Sequence, residues 1–141
     1  VFSSHNIEHL YAHEVGMALS EFHRVIRPSG FVVITCPDLQ SACELVANDK
    51  LTDTAYHSPA GSISPIDIIY GHRGYIAAGN SYMAHRCGFT AKVLASTLRA
   101  AGFETIALKR RKASFDLWAV GLKAKNETER IEKLYKEHFP I

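Results

Sequence analysis

Two groups of side chains have types and spacings that could do chemistry. The first is His5-Asn6-Ile7-Glu8-His9, in which a carboxylate stands between two imidazoles. The second is the stretch holding Tyr70, His72, Arg73, Tyr75, Tyr82 and His85. Imidazole titrates near neutral pH without help, so a histidine within hydrogen-bond reach of a hydroxyl or amine can take its proton. On that ground His9, His72 and His85 are candidate catalytic bases. Tyr70 and Arg73 are candidate substrate-binding residues for an anionic or sugar-like small molecule, although tyrosines in such a stretch also serve to pack.

The first group also matches H-x-x-E-H, the inverted zinc-peptidase signature, in which two histidines one helical turn apart bind the ion. His9 and His13 share an i, i+4 spacing. The motif here follows a strand turn instead of lying inside a long helix, and nothing in the sequence fixes Cys36 or Cys87 beside it. No metal site is expected, and Glu8 is read as structural.

The elements that must position these residues follow from periodicity. Val1-Phe2 ends an apolar strand, and Ser3-Ser4-His5-Asn6 is a polar turn. Val15, Leu19, Phe22 and Ile26 recur at helical spacing between Glu14 and Arg27, and Pro28-Ser29-Gly30 stops that helix. Phe31-Val32-Val33-Ile34-Thr35-Cys36 is an almost unbroken apolar run, as a strand buried on both faces requires. Asp38 can cap a short helix through Val46, and Thr90 a second amphipathic helix closed by Gly102. Glu104 to Arg110 and Phe115 to Lys123 are predicted to pair as an antiparallel hairpin, followed by a terminal helix over Glu127 to His138. Residues 51–88 read as a long, partly apolar insertion with one helical start at Ser64-Pro65. Loops of that length inside a domain are usually functional, so this one is expected to cover a substrate.

Val1 to Leu10, then Glu21-Phe22-His23-Arg24-Val25-Ile26-Arg27-Pro28-Ser29-Gly30-Phe31, Cys36-Pro37-Asp38, Gly88-Phe89-Thr90 and Ala101-Gly102-Phe103 occur in that order with the fitting element between each pair. This succession resembles the class I S-adenosylmethionine-dependent methyltransferase superfamily, in its type 11-like form. The likeness covers nearly the whole chain, and Ser29 departs from the usual glycine of the turn. It implies a single α/β domain over residues 1–141: the last four strands of a Rossmann-like sheet, with a terminal antiparallel hairpin and flanking helices. It also implies that Ser3, Ser4 and His5 line the methionine end of S-adenosylmethionine, and that His9 faces the transferred methyl or its acceptor. Ser4 and Asn6 would serve equally well as caps of the helix that follows.

In that superfamily a glycine-rich turn and an acidic ribose-binding residue hold the rest of the cofactor, and both are expected before Val1. Gly71-His72-Arg73-Gly74 and Ala78-Gly79-Asn80 are not framed by a strand and a helix as such a turn must be. Loss of the first strand of the sheet would then leave the Val1-Phe2 strand with an open edge, so a homodimer or another association through that edge is expected. Two functions follow from the same residues. One is methyl transfer to a small-molecule acceptor, as part of a larger or truncated enzyme. The other is a non-catalytic methyltransferase-like remnant that dimerises or docks on a partner.

Composition narrows the partners. With 47% hydrophobic and 21% charged residues the balance is that of a globular domain, and a net charge of +2 is too small to suggest nucleic acid. No run is apolar and long enough for a membrane span or a signal peptide, so a cytoplasmic location is expected. The three cysteines suit reduced, buried thiols, and the basic run Lys109-Arg110-Arg111-Lys112 suits a hairpin tip in solvent.

Overall fold

The computed structural model describes residues 1–125 and 127–140. Strand β1 (Phe2–Ser4) leads through a 3-10 turn (Ile7–His9) into helix α1 (Ala12–Val25), strand β2 (Phe31–Pro37) and helix α2 (Leu39–Val46). A small hairpin, β3 (Tyr56–Ser58) and β4 (Gly61–Ile63), precedes the short helices α3 (Pro65–Tyr70) and α4 (Arg73–Ala77). Helix α5 (Ala91–Ala100), strands β5 (Thr105–Arg111) and β6 (Asp116–Leu122) and helix α6 (Thr128–His138) complete the order.

The apolar run of β2 carries large side chains on both faces, so it is stable only if both are covered. Val32, Ile34 and Cys36 pack with Val15 and Leu19 of α1 and Leu94 and Leu98 of α5. Val33, on the opposite face, packs with Val120 and Leu122 of β6 under Ile131 and Leu134 of α6. The result is a mixed sheet between two helical layers, in the order β1-β2-β6-β5. β1 lies parallel to β2, while β6 runs antiparallel to both β2 and β5. β6 therefore lies between β2 and β5.

Cap chemistry sets the helix ends. Glu14 accepts a hydrogen bond from the Tyr11 amide (2.9 Å) and so starts α1 at Ala12, ahead of Val15, the first periodic position. The Asp38 carboxylate accepts from the Gln40 amide (3.2 Å), and Thr90 accepts from the Val93 amide (3.3 Å), as the sequence predicts. After α5 the chain turns at Gly102, whose φ of 102° is one that a side chain would resist. That turn lets the Phe103 amide donate to the Leu98 carbonyl (3.1 Å) and drops the Phe103 ring into the core.

Four local readings change. β1 continues through Ser3 and Ser4, which lie in register with Ile34 and Thr35, because a ladder needs only the backbone. Residues 51–88 are less irregular than their composition suggests and hold β3, β4, α3 and α4. The basic run is not a solvated tip: Lys109 donates to the Pro140 carbonyl (2.7 Å), Arg110 to Asp38 (2.8 Å), and Arg111 pairs with Asp116. Successive residues of β5 thereby reach partners on opposite faces of the sheet. Cys36 is buried as expected, and burial pushes its thiol well above the ordinary value, but Cys43 is exposed. Among the described residues no helix is long and apolar enough to cross a membrane.

Candidate functional site

β5 runs with β1 and β2, because each of the latter pairings passes through the antiparallel β6 or is parallel directly. The carboxyl ends of all three strands thus open on one edge of the sheet. A cleft of about 660 Å³ lies there, lined by His5, Glu8 and His9 after β1, Pro37 at the end of β2, Arg111 at the end of β5 and Asp116 at the start of β6. Its other wall comes from residues 51–88, including Tyr56, Asp67, Ile68, His72 and His85.

The turn after β1 owes its shape to His5, which has a left-handed φ of 45°. Such a conformation is uncommon for a residue with a side chain and costs about 1 kcal/mol or more. It folds Ile7 into the core and carries Glu8 inward, so that the Glu8 carboxylate is 1% exposed. Neither Ser4 nor Asn6 caps the turn: the Ser4 hydroxyl bonds the Thr35 hydroxyl (2.8 Å), and Asn6 makes no side-chain cap.

The carboxylate of Glu8 accepts no hydrogen bond from the described residues at either oxygen. His5 Nδ1 comes within 3.3 Å of Oε1, at ion-pair distance but off the line a hydrogen bond needs, and the contact raises the His5 pKa above its ordinary value. His9 and His85 stand beside it. The His9 Nδ1 faces the Ala84 carbonyl (3.1 Å) and the His85 Nδ1 faces the Ile68 carbonyl (2.8 Å). A carbonyl only accepts, so both Nδ1 atoms carry the proton, and each neutral ring has its lone pair on Nε2. The rings meet edge to face with centroids 4.9 Å apart. Burial lowers the His85 pKa, partly offset by the Ile68 hydrogen bond and the Glu8 charge.

His72 is placed differently. It precedes α4, and its Nδ1 accepts from the Tyr75 amide (3.2 Å), so the lone pair that a base would use caps a helix. Tyr70 is mostly exposed and, like Arg73, does not line the cleft. The Arg73 guanidinium is spent on Asp67 (Nε to Oδ1, 2.7 Å) and on the Ser64 hydroxyl (3.0 Å). Burial alone would raise the Asp67 pKa, but hydrogen bonds from Arg73 and Ser64 outweigh it and hold the carboxyl well below the usual range. Ser3 is buried within β1 and, with Ser4, lies outside the cleft lining.

The five cleft histidines His5, His9, His57, His72 and His85 are therefore brought to one place from two distant segments. Sequence reasoning missed Glu8, Arg111 and Asp116 as members of the same wall. Burial of Glu8 had no local signal, because a charged residue in a short turn that is mostly polar, with Ile7 as the one apolar member of His5 to His9, reads as facing solvent.

Among solved structures, the chain is similar to an O-methyltransferase family protein from Burkholderia thailandensis, with 10% sequence identity and a TM-score of 0.52. The superposition covers 90% of this chain and 30% of that one, so the chain spans under a third of that protein's length. The fold is methyltransferase-like. At such identity the likeness bears on architecture alone. No family model and no curated protein matches the sequence.

Proposed function

We propose that these residues form the acceptor side of an S-adenosylmethionine-dependent methyltransferase of class I, type 11-like, acting on a small molecule. The observation that carries the reading is the position of the cleft. It lies beyond the carboxyl ends of strands in a methyltransferase-like sheet, where ligands of open α/β sheets bind. Bound S-adenosylmethionine would supply an electrophilic methyl group on a sulfonium. Ser3, Ser4 and His5 border the end of β1 that would face it, and only His5 has a side chain turned to the cleft. The fit is thus to the methyl-bearing end of the cofactor and not to its nucleoside.

Transfer by in-line displacement gains mainly from alignment and from exclusion of water, which is the work assigned to residues 51–88 over the cleft. His9 and His85 present Nε2 lone pairs where the acceptor's polar group would sit. Tyr70 and Arg73 would have to leave their present surroundings to reach it.

The test uses the polypeptide that carries these residues at its natural length. Calorimetric titration with S-adenosylmethionine is expected to give one binding event per chain, and labelled cofactor is expected to pass its methyl to a small-molecule fraction. Absence of any binding at millimolar cofactor would overturn the reading.

One observation favours a second role, as a strand-edge association module. Among the described residues nothing pairs with the outer edge of β1, where Phe2 is 66% exposed beside a groove formed with Val1, Phe31, Val33 and Trp118. An open edge next to an apolar face tends to recruit another strand. Light scattering on the natural-length polypeptide is expected to give a dimer that Phe2→Lys converts to monomer. A native monomer at high concentration would sink this role.

A further inference from the structure

We infer that Glu8, His9 and His85 form a binding site for one divalent transition-metal ion of the zinc and ferrous-iron class. One donor atom from each of the three lies within 4.8 Å of the others. Donors that share one zinc ion at about 2.0–2.2 Å sit roughly 3–4 Å from each other. Small side-chain rotations would therefore close the set.

Three observations point to a ligand and not to an accident of packing. The first is the carboxylate. Glu8 is 1% exposed, lines the cleft and has no hydrogen-bond partner at either oxygen among the described residues. Its one ion-pair contact among the described residues is the exposed His5 ring, 3.3 Å from Oε1, which leaves the carboxylate without hydrogen bonds to offset its burial. Such burial is costly, and metal coordination is one of the few ways proteins offset it.

The second is the outer shell. Histidines that bind metals almost always donate the other ring N–H to a carbonyl or carboxylate, which fixes the tautomer and the ring plane. His9 does so to Ala84 and His85 to Ile68, at 3.1 and 2.8 Å. Both rings thus hold an Nε2 lone pair free for a ligand.

The third is rigidity. The Glu8 carbonyl accepts from the amides of Arg86 (2.8 Å) and Cys87 (3.2 Å), and the His85 amide donates to the Tyr70 carbonyl (3.1 Å). These backbone bonds lock the two ligand-bearing segments together before any ion arrives.

Two imidazoles and one carboxylate suit zinc, iron, cobalt or nickel, and not magnesium or calcium, which prefer all-oxygen shells. Three protein ligands facing a cleft leave a position open for an oxygen of a bound small molecule. Ion binding stands whether or not methyl transfer does. If both hold, His9 and His85 are no longer free bases, since a coordinated lone pair cannot accept a proton. The ion would then hold the acceptor's oxygen in their place.

The test uses the full chain without a polyhistidine tag, stripped with a chelator. Calorimetry with Zn²⁺ is expected to give one equivalent, and Co²⁺ to give visible ligand-field bands of a nitrogen–oxygen site of low coordination number. Glu8→Gln and His85→Ala should each weaken binding by about 10-fold or more, while His57→Ala, a cleft histidine outside the set, should not. Circular dichroism checks that each variant is folded. Because the native chain's Co²⁺ spectrum needs no variant, a folding failure does not remove the test. No stoichiometric binding by the native chain, or binding that survives both Glu8→Gln and His85→Ala, would overturn the inference.

Discussion

Replacing Phe103 with alanine is expected to destabilise the fold by about 3–5 kcal/mol, the usual range for emptying a fully buried aromatic site. Phe103 is 1% exposed and is among the largest side chains that the core encloses completely. Its ring meets that of His23 edge to face at 5.2 Å, and it lies so close over Gly121 that a Cβ there would come within 3.1 Å of it. Glycine at 121 in β6 and the wide ring at 103 are therefore one packing solution, and the site cannot collapse to fill the void. Total stability of a domain this size is about 5–15 kcal/mol, so the loss is a large share of it. Urea unfolding should show a lower midpoint at unchanged slope. A loss under about 1 kcal/mol would mean that the ring is not a core element.

The second large effect is expected at Asp38. Its carboxylate is fully buried and accepts from the Ser41 hydroxyl (2.7 Å), the Gln40 amide (3.2 Å) and Arg110 Nε (2.8 Å). Asp38→Ala removes a helix cap and leaves a guanidinium that is 23% exposed with only Ser41 and a distant Glu44 carboxylate at 3.8 Å. Breaking one side of a buried pair costs about 3–5 kcal/mol, because the remaining charge is left without compensation. The double variant Asp38→Ala with Arg110→Leu is expected to recover about 1–2 kcal/mol, since it removes the stranded charge as well. If the double variant is no better than the single one, the cost comes from the cap and not from the ion pair.

Much of the architecture was legible because it is locally encoded. The β2 run, the Asp38 and Thr90 caps and the Gly102 stop each leave a signature within a few residues. The central place of β6 was not, because pairing Val33 with Val120 depends on distant segments and not on any local pattern. The same limit governs the site. His9 and His85 could be picked out as reactive types, but their meeting depends on backbone bonds between Glu8 and the Arg86-Cys87 segment. Arg73 looked like an anion-binding residue because nothing nearby in type announced that Asp67 would claim it. The basic run at 109–112 misled in the same way, since its partners are Asp38, the cap of α2, and Asp116 of the neighbouring strand β6.

The clasp between the turn after β1 and the segment at 84–87 joins positions 75 residues apart in the chain. Those residues form a closed ring whose seam is the cleft wall itself. The entropy of closing such a ring grows only slowly with its length, but it must be met in full before any contact across the seam forms. A molecule with α1, β2 and α5 already in place would still have no cleft until the ring shuts. Chemistry at Glu8, His9 and His85 is thereby tied to completion of the fold, and a partly folded chain is silent.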